Sequence, residues 1–393
     1  MKVLLLGADG FIGRHIAFHL RGQGHDVQAQ ARRPGALAAM GFQTLKADLT
    51  SPATHDPAFW RAHLTGSHLI NAAGLLTGSK ATFRAVHHDA PKAALAALDP
   101  GHRALLISAV GIAADTDFAH WRRQTEALFA HHTILRLGMV LADTSYGGSS
   151  ALRAFAALPF ATPVIGDCQQ RFNPVHAADL AAIVLHALTL APQTVEVGGP
   201  EDLSLADLTR LTRRWLGLKP QRILHLPLPL ARSLGHIGDA LNLGPLSATA
   251  IAQLQTGVAA SPHPMARGVT AFTFARPAGT QDLWQTRLYL LKPLIRLTLS
   301  TLWLASAALG FLLPAQAFPE VAAPMILARA CGLIDLALGL ALLHNWHPRA
   351  LRRPPATAHP RPLPRRPTAR CPRRPAAFTA CGSPWAGRPS QPL

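Results

Sequence analysis

GADGFIG, residues 7–13, follows the apolar run KVLLL and opens the amphipathic stretch FIGRHIAFHLRG. Its reading decides the fold, because strand, glycine turn and helix come in that order. Gly7, Gly10 and Gly13 are spaced GxxGxxG. Glycine permits a tight turn, lets the backbone approach a pyrophosphate, and lets the helix pack close on the strand. The helix N-terminus then turns its free amides toward the phosphates. Asp9, Phe11 and Ile12 lie on the same loop and belong to the same expected cradle. A purely structural turn is the plainer alternative, but it gives no reason for this spacing between a strand and a helix.

Working outward, short apolar runs alternate with helical patterns to about Pro200. KVLLLGA, DVQAQAR, QTLKADL, HLINAAG, ALLISAVG, TILRLGMVL and TVEVGG read as buried strands. That alternation is the pattern of a parallel sheet covered by helices. The expected fold class is therefore α/β, with a doubly wound parallel sheet over residues 1–200. A small helical substrate-side region is expected over 201–280, and C-terminal membrane helices over 281–346. Residues 347–393 read as a disordered Arg/Pro-rich tail.

The end of the second strand bears on the cofactor. A carboxylate there meets the ribose hydroxyls of NAD, whereas this chain reads AQARRP, with Arg32 and Arg33 and no acid until Asp48. Arginine pairs with a 2′-phosphate through charge-assisted hydrogen bonds. NADP is expected in preference to NAD, although two arginines after a strand also fit a solvated loop.

The formal net charge of +18 is unevenly spread. The ten arginines from His347 onward, among twelve prolines and no acids, leave +8 on the first 346 residues. Such a tail buries too little apolar surface to fold. It reads as a basic arm for RNA or anionic lipid, as a solvated extension, or as GC-rich coding sequence translated out of frame, and its Arg/Pro/Ala composition favours the last. Nucleic acid is a disfavoured partner, since the tail lacks interleaved aromatics. The four cysteines, Cys168, Cys331, Cys371 and Cys381, form no CxxC. Neither a metal site nor a disulfide framework is expected. KVLLLGA is too short for the apolar core of a signal peptide.

Residues 297–313 carry no charge and follow Arg287, Lys292 and Arg296. With the preceding turn they approach the ~20 residues that cross a bilayer. A second apolar segment, residues 325–346, contains Arg329 and Asp335. The loop between them has no Lys or Arg, which fits a hairpin with both ends cytoplasmic. The chain is thus expected at a membrane, with its sheet domain in the cytoplasm. A buried hairpin of a soluble domain is the alternative.

Several segments in order resemble a known family. GADGFIG, ADL at Ala47–Leu49, NAAG at Asn71–Gly74, ISAVG around Ser108, NPVHAADLA at Asn173–Ala181 and VGGPEDLSLADL from Val197 are similar to an atypical extended short-chain dehydrogenase/reductase. The branch is that of the nucleotide-binding accessory subunit of respiratory complex I, and the resemblance covers roughly residues 1–280. DLWQTRLYLLKPLIRLTLSTLWLASAALG resembles the DoxX-like membrane region appended to some bacterial members. The resemblance implies a Rossmann-type fold in which Gly7, Gly10 and Gly13 bind the pyrophosphate and Arg32 meets the adenosine end. It further implies that Asp48 and Leu49 border the adenine, and that Ala72, Ala73 and Gly74 line the cofactor.

It also implies a catalytic serine, tyrosine and lysine, and here the chain departs. The matching positions hold Ser108, Phe118 and Arg122. Phenylalanine has no proton to give, and a guanidinium that stays protonated cannot relay one as lysine does. Ser108 could equally be a simple cap. His120 is a candidate substitute acid, against the plainer reading of a surface residue. In NPVHAADLA, Asp179 reads as a helix cap, and the resemblance puts His176 at the site mouth.

Two expectations of function follow. One is a membrane-anchored NAD(P)-binding oxidoreductase acting on a quinone or carbonyl, with a proton from His120, Tyr146 or water. The other is a non-catalytic nucleotide-holding structural or sensing component of a membrane assembly. The expected partners are the lipid bilayer, a dinucleotide, a membrane protein complex and a small-molecule substrate whose identity no motif specifies.

Overall fold

The computed structural model describes residues 1–113, 115–167, 170–240, 248, 251–252, 257–314 and 324–344. All seven runs read as strands form one parallel sheet: β1 (Lys2–Leu6), β2 (Asp26–Ala31), β3 (Gln43–Lys46), β4 (His68–Asn71), β5 (Ala104–Ala109), β6 (Thr133–Leu137) and the strand Thr194–Val197. From edge to edge the order is Thr194–Val197, β6, β5, β4, β1, β2, β3. The sheet winds outward from β1 in one direction and then from β4 in the other. Ligands of such sheets bind in the crevice where the order reverses, beyond the carboxyl ends of the strands. Here that place lies between β1 and β4.

The α-helices before residue 241 are α1 (Phe11–Gly22), α2 (Gly35–Ala39), α3 (Pro57–Leu64), α4 (Lys80–Arg84), α5 (Ala90–Ala96), α6 (Asp117–Leu128), α7 (Gly148–Ala156), α8 (Ala177–Ala187), α9 (Leu205–Trp215) and α10 (Leu228–Ala240), and a short helix, Val269–Phe274, comes later. A π turn, Ala85–Asp89, joins α4 to α5. Strand β1 shows why the apolar runs are unbroken. Val3 and Leu5 enter one core with Ile16 and Leu20 of α1 and Leu180 and Val184 of α8. Leu4 and Leu6 enter the other, with Trp60, Leu64, Ala93, Leu106 and Phe129. A strand covered on both faces needs apolar side chains at every position.

Two further helices, Thr280–Leu312 and Pro324–Leu343, are long and apolar enough to cross a membrane, and only 11% of the most apolar window of each is buried. They pack closely on each other through small residues. A Cβ on Gly310 would lie 2.8 Å from the Ala328 carbonyl oxygen, and one on Gly332 3.3 Å from that of Ala307. The Ser306 hydroxyl donates to Asp335 at 2.6 Å, so the mid-span acid is engaged by the neighbouring helix. The readings made for the tail after His347, for the inter-helix loop at 315–323 and for Cys168, Cys371 and Cys381 lie outside the described residues.

Candidate functional site: a glycine cradle at the sheet switch point

The glycine loop is built as its spacing predicts. Gly7 has φ +72°, and a Cβ there would stand 2.8 Å from the Ala73 backbone. A Cβ on Gly13 would overlap the Gly7 carbonyl oxygen. Gly13 therefore lets α1 sit against the end of β1, while Gly7 lets β1 approach the NAAG turn after β4. Gly10 is the N-cap of α1 and brings no side-chain cap, and the first turn of α1 holds no acid. Uncapped amides at the positive end of a 12-residue helix are suited to a phosphate.

Sequence reasoning missed the residue that braces this loop. Gln30 is buried in β2 and accepts the Gly7 amide at 2.9 Å. Its own amide donates to the Ala47 carbonyl at 2.7 Å, and its backbone carbonyl accepts the Ala8 amide at 3.0 Å. One side chain thus ties together the ends of β1, β2 and β3. The sequence offered little signal, because Gln30 alternates in register with Asp26 and Gln28 on the polar face of DVQAQA and only its burial in the fold singles it out.

At the adenosine end, Arg32 and Arg33 are exposed just beyond β2. The Asp48 carboxylate accepts the Thr50 amide at 3.0 Å and its hydroxyl at 2.8 Å. The Thr50 amide above all holds Asp48 below the usual carboxylate range, against the opposing effect of burial and with help from the Thr50 hydroxyl and the charge of Arg32. The Leu49 side chain is in the core beside Trp60, which leaves only its backbone for a ligand. Ala73 is buried, and its amide donates to the Asn71 side chain at 3.1 Å. Gly74 is exposed and Ala72 half-buried.

The other end of the cradle is formed by α6. Thr116 caps it, accepting the Ala119 amide at 3.1 Å, and the helix buries Phe118, Ala119, Arg122, Thr125 and Glu126 along one face. Phe118 is 8% exposed and Arg122 6%. The Arg122 guanidinium lies 5.6 Å from the centre of the Phe118 ring, donates to the Ile107 carbonyl at 3.2 Å and touches Gly74. Burial lowers its pKa to about 10, so it stays charged at neutral pH. The Ser108 hydroxyl donates to Glu126 at 2.6 Å, and Glu126 in turn takes a bidentate pair from Arg136, with Nη2 at 2.7 Å. Ser108 is therefore neither a helix cap nor a free donor.

His87, in the π turn, completes this end. Its Nε2 accepts the Leu75 amide at 3.1 Å, which leaves the proton on Nδ1, and its ring meets Phe118 edge-on at 6.3 Å. Burial, with the nearby Arg122 charge, pushes its pKa down to about 3. It is a fixed neutral imidazole at working pH.

Two candidates are displaced. His120 is exposed and stacks edge-on with Trp121; it lies about 200° around α6 from Phe118 at the helical period, away from the cradle. The N-cap of α8 is His176, which accepts the Ala178 amide at 3.2 Å. Asp179 sits one turn further on and pairs with Arg267 at 2.8 Å. Tyr146 is placed differently: 71% exposed, it stacks on Phe11 at 6.4 Å, beside the first turn of α1. A nearby cavity lined by Asp143, Arg153, His176, Trp215, Phe272 and Arg276 has a volume of about 40 Å³. That is room for a few waters.

No family model matches the chain, and no curated protein matches it significantly. Among solved structures it is similar to UDP-glucuronic acid 4-epimerase from Bacillus cereus, in complex with UDP-glucuronic acid and NAD, at 17% identity. That likeness covers 58% of this chain and 86% of the other, with a TM-score of 0.47. A short-chain dehydrogenase/reductase superfamily protein from Agrobacterium tumefaciens with bound NAD gives 17% identity, the same coverages and 0.48. A dTDP-glucose 4,6-dehydratase from Bacillus anthracis in complex with NAD gives 12%, 58% and 84%, and 0.49. The fold assignment rests on the sheet order and not on these distant likenesses.

Proposed function

We propose that the chain is a membrane-anchored, NAD(P)-holding protein of the short-chain dehydrogenase type, with little or no carbonyl-reducing activity of its own. The observation that carries this is the state of the three positions where the family keeps its chemistry. Phe118 has no exchangeable proton. Arg122 is buried and charged, and Ser108 already donates its hydroxyl hydrogen bond to Glu126.

The cradle nevertheless fits a dinucleotide: Gly7 and Gly13 have no room for a Cβ and the α1 amides are uncapped. A bound nicotinamide would supply hydride chemistry. The chain's own residues hold the pyrophosphate through the Gly7–Gly13 loop and α1, and offer Arg32 and Arg33 to the adenosine end. Those two arginines favour NADP. At the far end the buried Arg122 keeps a positive charge beneath Gly74 without moving a proton. Holding the dinucleotide while anchored by two apolar helices suits a structural or sensing part of a membrane assembly, as the complex I and DoxX-like resemblances imply.

One observation favours the second reading, an oxidoreductase acting on a quinone or carbonyl: Tyr146 is an exposed phenol at the edge of the cradle. The test measures NADPH binding and oxidation by the full-length chain with a panel of quinones, aldehydes and ketones. The expected outcome is binding with negligible turnover, and a gain of activity in the Phe118→Tyr/Arg122→Lys double variant. General acid catalysis is worth ~100-fold to 10,000-fold. Brisk wild-type turnover, lost in Tyr146→Phe, would establish the second reading instead.

A further inference from the structure

Helix α10 is patterned the wrong way round for a core helix. It packs through Ala231, Gly235 and Gly238, where a Cβ on Gly235 would stand 2.6 Å from Ile251 and 3.0 Å from the Ala248 backbone. Its large apolar side chains, Leu230, Leu234 and Ile237, are 49%, 47% and 52% exposed. The spacing i, i+4, i+7 puts all three on one stripe, about 100° around the helix from the packed face. Arg232, Ser233, His236 and Asp239 occupy the remaining arc. Leu224, on the strand Arg222–Leu226 that leads into α10, is also exposed, at 52%.

We infer that the Leu230/Leu234/Ile237 stripe is a second membrane contact, lying in the headgroup boundary of the bilayer that the two long helices span. The inference rests on the membrane reading above and adds to it a surface of the substrate-side region. Three features select lipid as the occupant. The segment 219–240 carries Lys219, Arg222 and Arg232 against one acid, Asp239, which is exposed and accepts the Ala248 amide at 3.0 Å. Arg232 lies on the far side of α10 from the stripe, but Lys219 and Arg222 are exposed, and Arg222 shares a strand face with the exposed Leu224; cations beside exposed apolar side chains match an anionic leaflet.

The second feature is repetition. The long helix shows the same spacing at Trp284, Leu288 and Leu291, all exposed, and this stripe runs on through Ile295, Leu299 and Leu302 into the apolar span. The third is attachment to the base of that helix. The strand Arg222–Leu226 pairs with Ala161–Ile165, the strand after α7. α7 in turn meets the helix base, with Arg153 3.6 Å from Asp282 and the Tyr289 hydroxyl 3.4 Å from the Gly147 carbonyl. A second copy of the chain is the weaker occupant. Three half-exposed side chains on a helix about 20 Å long fall well short of the ~800 Å² per partner of a stable interface.

The test uses the full chain with its native cysteines replaced by serine, reconstituted into phosphatidylcholine/phosphatidylglycerol vesicles. A single environment-sensitive fluorophore is placed by Leu234→Cys, Arg232→Cys or Leu302→Cys. The expected result is a blue shift and loss of emission to doxyl-labelled lipid at positions 234 and 302, with 232 remaining water-like. Quenching at 302 but not at 234 would overturn the surface contact and leave the anchor standing. Quenching at neither would overturn the anchor and the contact together. A blue shift at 234 without lipid quenching, accompanied by disulfide cross-linking between copies, would assign the stripe to a second chain and overturn the proposal.

Discussion

Gly13 is the residue on which the cradle depends most, because a methyl group there has only the Gly7 carbonyl to occupy. Gly13→Ala must push α1 away from β1. Overpacking of this kind costs ~1–3 kcal/mol, and the displaced amides lose their aim at the phosphates. The expected outcome is a lower melting temperature together with weaker NADPH binding by calorimetry; an unchanged affinity would separate the glycine's packing role from its ligand role. His87 yields a prediction in pH. Its folded pKa of about 3 lies below the ordinary 6.5, so as pH falls the unfolded chain takes up a proton that the folded chain refuses. Its contribution is fully present above about 6.5 and is lost progressively toward 3, at up to ~1.4 kcal/mol per pH unit. His87→Gln should flatten the acid side of the melting profile, and an equally steep profile would mean that other groups govern it.

Among the elements, α6 shows how one helix face is packed by a few long side chains. Its buried face carries Phe118 and Arg122, with the guanidinium against Gly74, and Thr125 fixes it to the π turn by donating to the His87 carbonyl at 2.6 Å. On the membrane reading proposed above, the hairpin Thr280–Leu312/Pro324–Leu343 follows a different rule. In lipid there is little hydrophobic drive between helices, and close backbone contact through small residues takes its place. Gly310→Leu would drive a side chain into the Ala328 carbonyl. Cysteines placed across the hairpin should then cross-link less readily in membranes, while NADPH binding by the sheet domain is unchanged. Cross-linking at the wild-type rate would show that this contact does not hold the pair.

For the whole molecule, the two long apolar helices and the soluble-type sheet domain make separable demands. The full-length chain should stay in the membrane pellet through an alkaline carbonate wash, and deletion of residues 285–393 should release it. Recovery of the full chain in the wash would leave the exposed apolar surface of Thr280–Leu312 to be covered by protein.

The seven strands, the glycine turn and the two apolar helices were legible in the sequence because each is a matter of local period and spacing. A buried strand, a tight turn and a bilayer-length run are written in consecutive residues. That the chain holds no Tyr-x-x-x-Lys was legible too, since its two tyrosines, Tyr146 and Tyr289, are followed four positions on by Ser150 and Pro293. What only the tertiary structure decided is where protons and charges are committed. Ser108 is tied to Glu126 eighteen positions away, Gln30 to Gly7 and Ala47 on either side of it, and His87 to Leu75 and Thr125. The outward stripe of α10 likewise became visible only when its small residues were seen to face the protein. Hydrogen bonds and burial join residues brought together by the fold, and their partners have no fixed spacing along the chain.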